Sequence, residues 1–142
     1  MIAKDQQYWM HKAIEQAKLG HTPFGAVIVN EEQQSVEAYN TTKQDGPVAH
    51  AEVNVIQQLK HLEYSDARTL TLYSTVEPCP MCMSAAVWAG IGKVVYGVSI
   101  ADASAYGHQI HVSCEEIAQK SWYSIVLVPG VEREKCLELF EY

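Results

Sequence analysis

The chain has 142 residues, 48% of them hydrophobic, and carries a net charge of −7 from 17 acidic and 10 basic side chains. That length and hydrophobicity suit one domain, residues 1–142, with a sizeable core, and exclude a disordered chain. No apolar run approaches membrane-span length, no cluster of Lys or Arg suits a phosphate backbone, and the N-terminus lacks the apolar core of a signal peptide.

The expectation is a cytoplasmic protein with no membrane partner. Four cysteines, two of them close together and two far apart, fit a reducing compartment better than a disulfide framework. The acidic balance argues against a nucleic-acid partner.

In chain order, residues 5–19 place Trp9, Ala13, Ile14 and Ala17 at helical spacing, and Gly20 stops the helix. Residues 23–29 read as a buried strand, followed by a turn and a second strand over 35–39. A polar loop runs to Pro47. Residues 48–62 form a second helix, with Val53, Val55, Ile56 and Leu59 on its apolar side. Residues 69–76 alternate as a central strand and run straight into Glu77-Pro78-Cys79-Pro80-Met81-Cys82.

That stretch organises the chain. Pro78 holds Glu77 extended, and Pro80 suits the first helical position, so a strand ends and a helix begins here. Cys79 and Cys82, three apart, share one face at the helix start, where the backbone dipole favours thiolates. With a neutral imidazole from His50 they make a Cys₂His zinc set, one ligand short of a tetrahedron. Structural zinc sites are closed by four protein ligands, and catalytic ones leave a position for water. Glu52, two residues after His50, is a carboxylate placed for general acid–base work beside such a water.

The helix from Cys79 continues through Ala85, Ala86 and Ala89 to Gly90, and its small residues suit either a homodimer interface or close packing on the sheet. Residues 93–98 form a strand, 99–121 a polar crossover with a short helix from 114 or 115 to about 120, and 124–128 the last strand. Parallel neighbours need a dozen or more connecting residues, which this crossover supplies. Residues 132–140 close the chain as a helix.

His50-x-Glu52 with Pro78-Cys79-x-x-Cys82 resembles the signature of the zinc-dependent cytidine, adenine and guanine deaminases. The resemblance implies a three-layer αβα cytidine-deaminase-like fold, with a five-stranded mixed sheet whose last two strands are parallel. It implies Zn²⁺ as cofactor on His50, Cys79 and Cys82, and Glu52 as the catalytic proton shuttle. It also implies a small-molecule nucleobase or nucleoside substrate and a homodimer.

Within the superfamily the chain is most similar to the guanine and tRNA-adenosine branches. Matching positions there imply that Asn40 bonds a ring edge, that Phe24 packs on a base and that Trp88 touches the site. Ala51 offers a backbone amide, and the terminal Tyr142 covers a site. Each has a plainer reading: a turn-forming Asn, a core Phe, a core Trp and a chain end.

The reading favoured is hydrolytic deamination of a purine such as guanine. The alternatives are a tRNA wobble-adenosine deaminase, a cytidine or deoxycytidylate-type deaminase, and a non-catalytic zinc module. The last would take its fourth ligand from His108, His111, Cys114 or Cys136.

Overall fold

The computed structural model describes residues 4–141. Seven helices and five strands follow one another as α1 (Gln6–Leu19), β1 (Gly25–Val29), β2 (Ser35–Tyr39), α2 (Thr42–Asp45), α3 (Ala51–Gln57) and β3 (Thr71–Val76). After these come α4 (Pro80–Ala89), β4 (Lys93–Val98), α5 (Ile100–Ala103), α6 (Cys114–Gln119), β5 (Val126–Val128) and α7 (Arg133–Glu138). The sheet order is β2-β1-β3-β4-β5. β1 is antiparallel to both its neighbours, while β3–β4 and β4–β5 are parallel, as the long crossover predicts.

Strand alternation divides the core in two. Ala26, Ile28, Leu72 and Val94 face α3, α4 and α6, whereas Val27, Val29, Tyr73 and Val95 face α1 and α7. This is the strand period of two at work, and both faces of the central strands are buried. Trp9 is 3% exposed and belongs to the α1 side. α1 opens on Asp5, whose carboxylate accepts from the Tyr8 amide. It lies very close to β1: a Cβ on Gly25 would meet the Ala13 carbonyl oxygen at 2.0 Å and the Ala17 nitrogen at 2.5 Å. Only glycine permits that approach.

Several boundaries differ from the sequence expectation. The second helix begins at Ala51 rather than 48, because His50 is extended (φ −70°, ψ 156°), and after Gln57 it tightens into a 3₁₀ turn, Gln58–His61. The expected polar loop contains the one-turn α2. β3 starts at Thr71, because Asp66 caps a 3₁₀ turn over Ala67–Thr69. β5 is three residues long, and Glu132 lies in the left-handed region (φ 54°), so α7 starts one residue later than expected. No helix among the described residues is long and apolar enough to cross a membrane.

Candidate active site

Strand directions gather the site at one end of the sheet. β3 and β4 run parallel and end there at Val76 and Val98. β1 runs the other way, so its start, Phe24-Gly25, lies at the same end, and β2 brings Asn40 alongside, its amide donating to the Phe24 carbonyl at 3.3 Å. Ligands in open α/β sheets bind beyond the carboxyl ends of the strands, and this is that end for β3 and β4.

Two helices start here. His50 is the N-cap of α3 and Cys79 the N-cap of α4, both with extended backbone. Neither side chain caps its own helix, so both are left for another partner. Cys82 stands on the first turn of α4, fully buried. The His50 Nδ1 lies 3.7 Å from Cys79 Sγ and 3.5 Å from Cys82 Sγ. A tetrahedral zinc with its usual bond lengths separates a nitrogen and a sulfur ligand by ~3.6 Å. The three donors therefore fit Zn²⁺ with little adjustment. Among the described residues no fourth His, Cys, Asp or Glu joins this group. Cys136 packs on the opposite face of the sheet, and Cys114 is held in the α6 layer. Among the described residues a closed four-ligand site is therefore not built.

The electrostatics fit a cation between the two sulfurs. The Cys82 thiol and the His50 imidazole, both hydrogen-bonding to it, pull the Cys79 thiol down to about 4. Cys82 moves strongly the other way, because the neighbouring Cys79 holds its proton and burial disfavours a second negative charge. His50 is raised by its hydrogen bond to Cys79, against the opposing effect of burial. A metal that takes both thiolates displaces the Cys82 proton.

Glu52, one residue into α3, is 5% exposed. Burial pushes its carboxyl from an ordinary 4.5 up to about 7, and the negative charge of Cys79 adds to that. A carboxyl titrating near neutrality suits a group that must both take and return a proton. Ala51, between His50 and Glu52, is fully buried and opens α3. First-turn amides have no acceptor within their own helix.

A cavity of about 350 Å³ adjoins these groups, lined by Phe24, Asn40, His50, Glu52, Val76, Glu77, Cys79 and the run His108-Gln109-Ile110. Asn40 accepts from the Thr42 amide (3.1 Å) and the Thr42 hydroxyl (3.0 Å) through the same Oδ1, and it also lines the cavity. Phe24 is half-buried and meets Phe140 edge-on at 6.0 Å between ring centroids. Trp88 is elsewhere. It is 79% exposed and lies against Trp122 at 5.1 Å, beside a separate groove between α4 and α6. Neither contact with this cavity nor core burial describes it, because Trp88 follows Ser84 by one turn, off the side of α4 that buries Cys82, Met83, Ala86 and Val87. Tyr142 lies outside the described residues.

Two features escaped the sequence reading. Gln109 lines the cavity from an irregular segment that no periodicity marks. Glu77, beside the cysteine motif, is only 6% exposed and turns its carboxylate to the amides of Ile100 (2.9 Å) and Cys114 (2.7 Å).

Comparison with known proteins agrees with this geometry. The cytidine and deoxycytidylate deaminase zinc-binding region matches residues 3–98. The tRNA-specific adenosine deaminase of Bacillus subtilis strain 168 is 33% identical over 141 residues, covering 95% of this chain and 85% of that protein. The guanine deaminase of the same organism is 40% identical over 87 residues, covering 60% of this chain and 56% of that protein. A solved guanine deaminase from Nitrosomonas europaea superposes with a TM-score of 0.82 at 18% identity, over 99% of this chain and 85% of that one, which shows the fold. A signature spread over most of the chain, on this fold and with three donors at zinc spacing beside a buried carboxyl, has one source: the chain belongs to the cytidine and deoxycytidylate deaminase zinc-binding family and is a zinc-dependent deaminase.

Proposed function

We propose that this protein hydrolytically deaminates a small free nucleobase, with a purine such as guanine as the first substrate. The observation that carries the reading is the lining of the cavity beside Glu52. Among the described residues it holds no Lys or Arg, while it holds an aromatic ring, a carboxamide donor and a second carboxamide. Recognition of RNA or a nucleotide rests first on phosphate contacts made by basic groups. A flat heterocycle needs an apolar wall and a few polar atoms, which is what Phe24, Asn40 and Gln109 offer.

Zinc, when bound, supplies the Lewis acidity that makes a water nucleophilic near neutral pH. Glu52 takes the proton of that water and delivers it to a ring nitrogen. The oxygen is joined to the carbon bearing the amino group. Glu52 then moves the second proton to that amino nitrogen, the C–N bond breaks, and ammonia leaves a ring carbonyl behind. Asn40 Nδ2 donates to a ring acceptor and fixes the ring in its plane, while Phe24 packs on its apolar face. The Ala51 amide, at the start of α3, donates to the exocyclic oxygen. Holding the amino-bearing carbon within reach of Glu52 is itself a large part of the rate enhancement.

The second reading is a tRNA wobble-adenosine deaminase. It is favoured by the likeness to the B. subtilis tRNA enzyme, which extends over 95% of this chain, against 60% for the guanine enzyme. Ammonia release from guanine, adenine, cytosine, their nucleosides and a tRNA anticodon stem separates the two. Turnover of the stem alone, with a steep loss as salt rises, would overturn the free-base reading.

The homodimer is proposed on the outer face of α4, where Trp88 and Trp122 are both largely exposed, and light scattering that finds a monomer at micromolar concentration counts against it.

A further inference from the structure

We infer that Glu77 is a positioning residue that sets one wall of the substrate cavity. Its carboxylate ties together the two ends of the segment that carries His108, Gln109 and Ile110. β4 ends at Val98, and the chain then leaves the sheet until α6 begins at Cys114. Between these points it makes the single turn of α5 and an irregular stretch whose residues 104–108 are exposed. Such a stretch has little core of its own to hold it. Its apex nevertheless lines the cavity together with Glu52 and Asn40.

The clamp is built from both termini of that segment. Glu77 Oε1 accepts from the Ile100 amide at 2.9 Å, and Oε2 accepts from the Cys114 amide at 2.7 Å. These are the first residues of α5 and α6. The N-cap serines take another amide in each helix: Ser99 Oγ accepts from Asp102 at 3.0 Å, and Ser113 Oγ accepts from Glu116 at 3.2 Å. One buried carboxylate thus satisfies an orphan donor at the start of both short helices. The bonds are charge-assisted and stronger than neutral ones. Glu77 is also anchored, since its own amide donates to the Val98 carbonyl at 2.7 Å and Pro78 restricts its backbone.

A second tie acts nearer the apex. Tyr106 stacks on Phe140 at 4.8 Å, and Phe140 meets the cavity residue Phe24 edge-on. Glu77 itself borders the cavity, but with both carboxylate oxygens taken by the Ile100 and Cys114 amides it acts on substrate through residues 108–110 rather than by touching the reacting atoms. The role rests on reading this cavity as the substrate site.

The test uses the full zinc-loaded chain and Glu77→Gln, which keeps the size but replaces one acceptor oxygen with an NH₂ donor. Hydrogen exchange is followed residue by residue, and ammonia release is measured with guanine. In the variant the Ile100, Tyr106 and Cys114 amides are expected to exchange at least ~10-fold faster, the loss that an unmade bond to a charged group implies. The β1 and β3 amides stay unchanged and zinc stays at one per chain. KM for guanine rises ~10-fold while kcat falls less than ~3-fold, because binding is loosened and the Glu52 chemistry is not.

Unchanged exchange at Ile100 and Cys114 overturns the proposal. A fall in kcat at constant KM also overturns it, since that marks less active enzyme or a lost transition-state contact rather than loosened binding. If the parent does not turn over guanine, the substrate reading fails and exchange alone decides the clamp. If Glu77→Gln does not fold, the parent decides: Ile100 and Cys114 amides that exchange as fast as Gly107 refute the clamp, and marked protection supports it.

Discussion

Replacing Glu52 with Gln should make the metal-free protein more stable and the loaded enzyme nearly inactive. The carboxyl is raised from 4.5 to about 7 because it is buried. A group whose folded pKa lies above its unfolded value contributes fully below the unfolded pKa, and that contribution is lost as pH rises through the folded one. The window is therefore pH 4.5 to 7, and above it a buried carboxylate opposes folding. A shift of this size is worth ~3 kcal/mol at pH 8 and under ~1 kcal/mol at pH 5.

Gln keeps the shape without the charge. Metal-free Glu52→Gln should thus melt roughly 10 °C above the parent at pH 8, and only a few degrees above it at pH 5. Ammonia release by the zinc-loaded variant should fall by at least ~10², the lower end of a general acid–base contribution, with zinc content intact. The assays are thermal unfolding of the apo proteins at the two pH values, turnover, and elemental analysis. A melting difference that does not grow between pH 5 and pH 8 would refute the burial argument, and near-parental turnover would refute the proton shuttle.

Other outcomes follow from the same geometry. Zinc binding should release at least about one proton near neutral pH, because the Cys82 thiol gives up its own, so affinity falls as pH falls; calorimetry in buffers of different ionisation enthalpy that finds no release contradicts this. Cys79→Ala should lose metal and activity together, whereas retained stoichiometric zinc would remove Cys79 from the ligand set. Gly25→Ala should destabilise by roughly 1–3 kcal/mol or more, because its Cβ lands on the α1 backbone, and an unchanged urea midpoint would show that α1 moves away freely. Trp88→Ala should leave base turnover within about twofold, since the indole makes no contact with the reacting groups, and a large loss would place Trp88 back in the site.

Chemistry that depends on spacing was legible in the sequence. Cys79 and Cys82 stand three apart after a strand, and His50 and Glu52 stand two apart at a helix start. Backbone geometry alone brings each pair to one helix end. The parallel ending of the sheet was legible for a similar reason, because the number of residues between β4 and β5 limits how the two strands can be joined.

What only the tertiary structure decided depends on residues distant in the chain. Glu77 reads as a strand-end carboxylate until Ile100 and Cys114, 23 and 37 positions away, supply its partners. Asn40 reads as a turn-former, and the fold adds that the same residue, bonded to Thr42 through its oxygen, also lines the cavity. Trp88 is apolar enough for a core, yet helix phase and the position of α6 leave it 79% exposed. The raised pKa of Glu52 comes first from the layers packed around it, which remove water from its carboxyl, and desolvation is a property of the folded core rather than of any stretch of sequence.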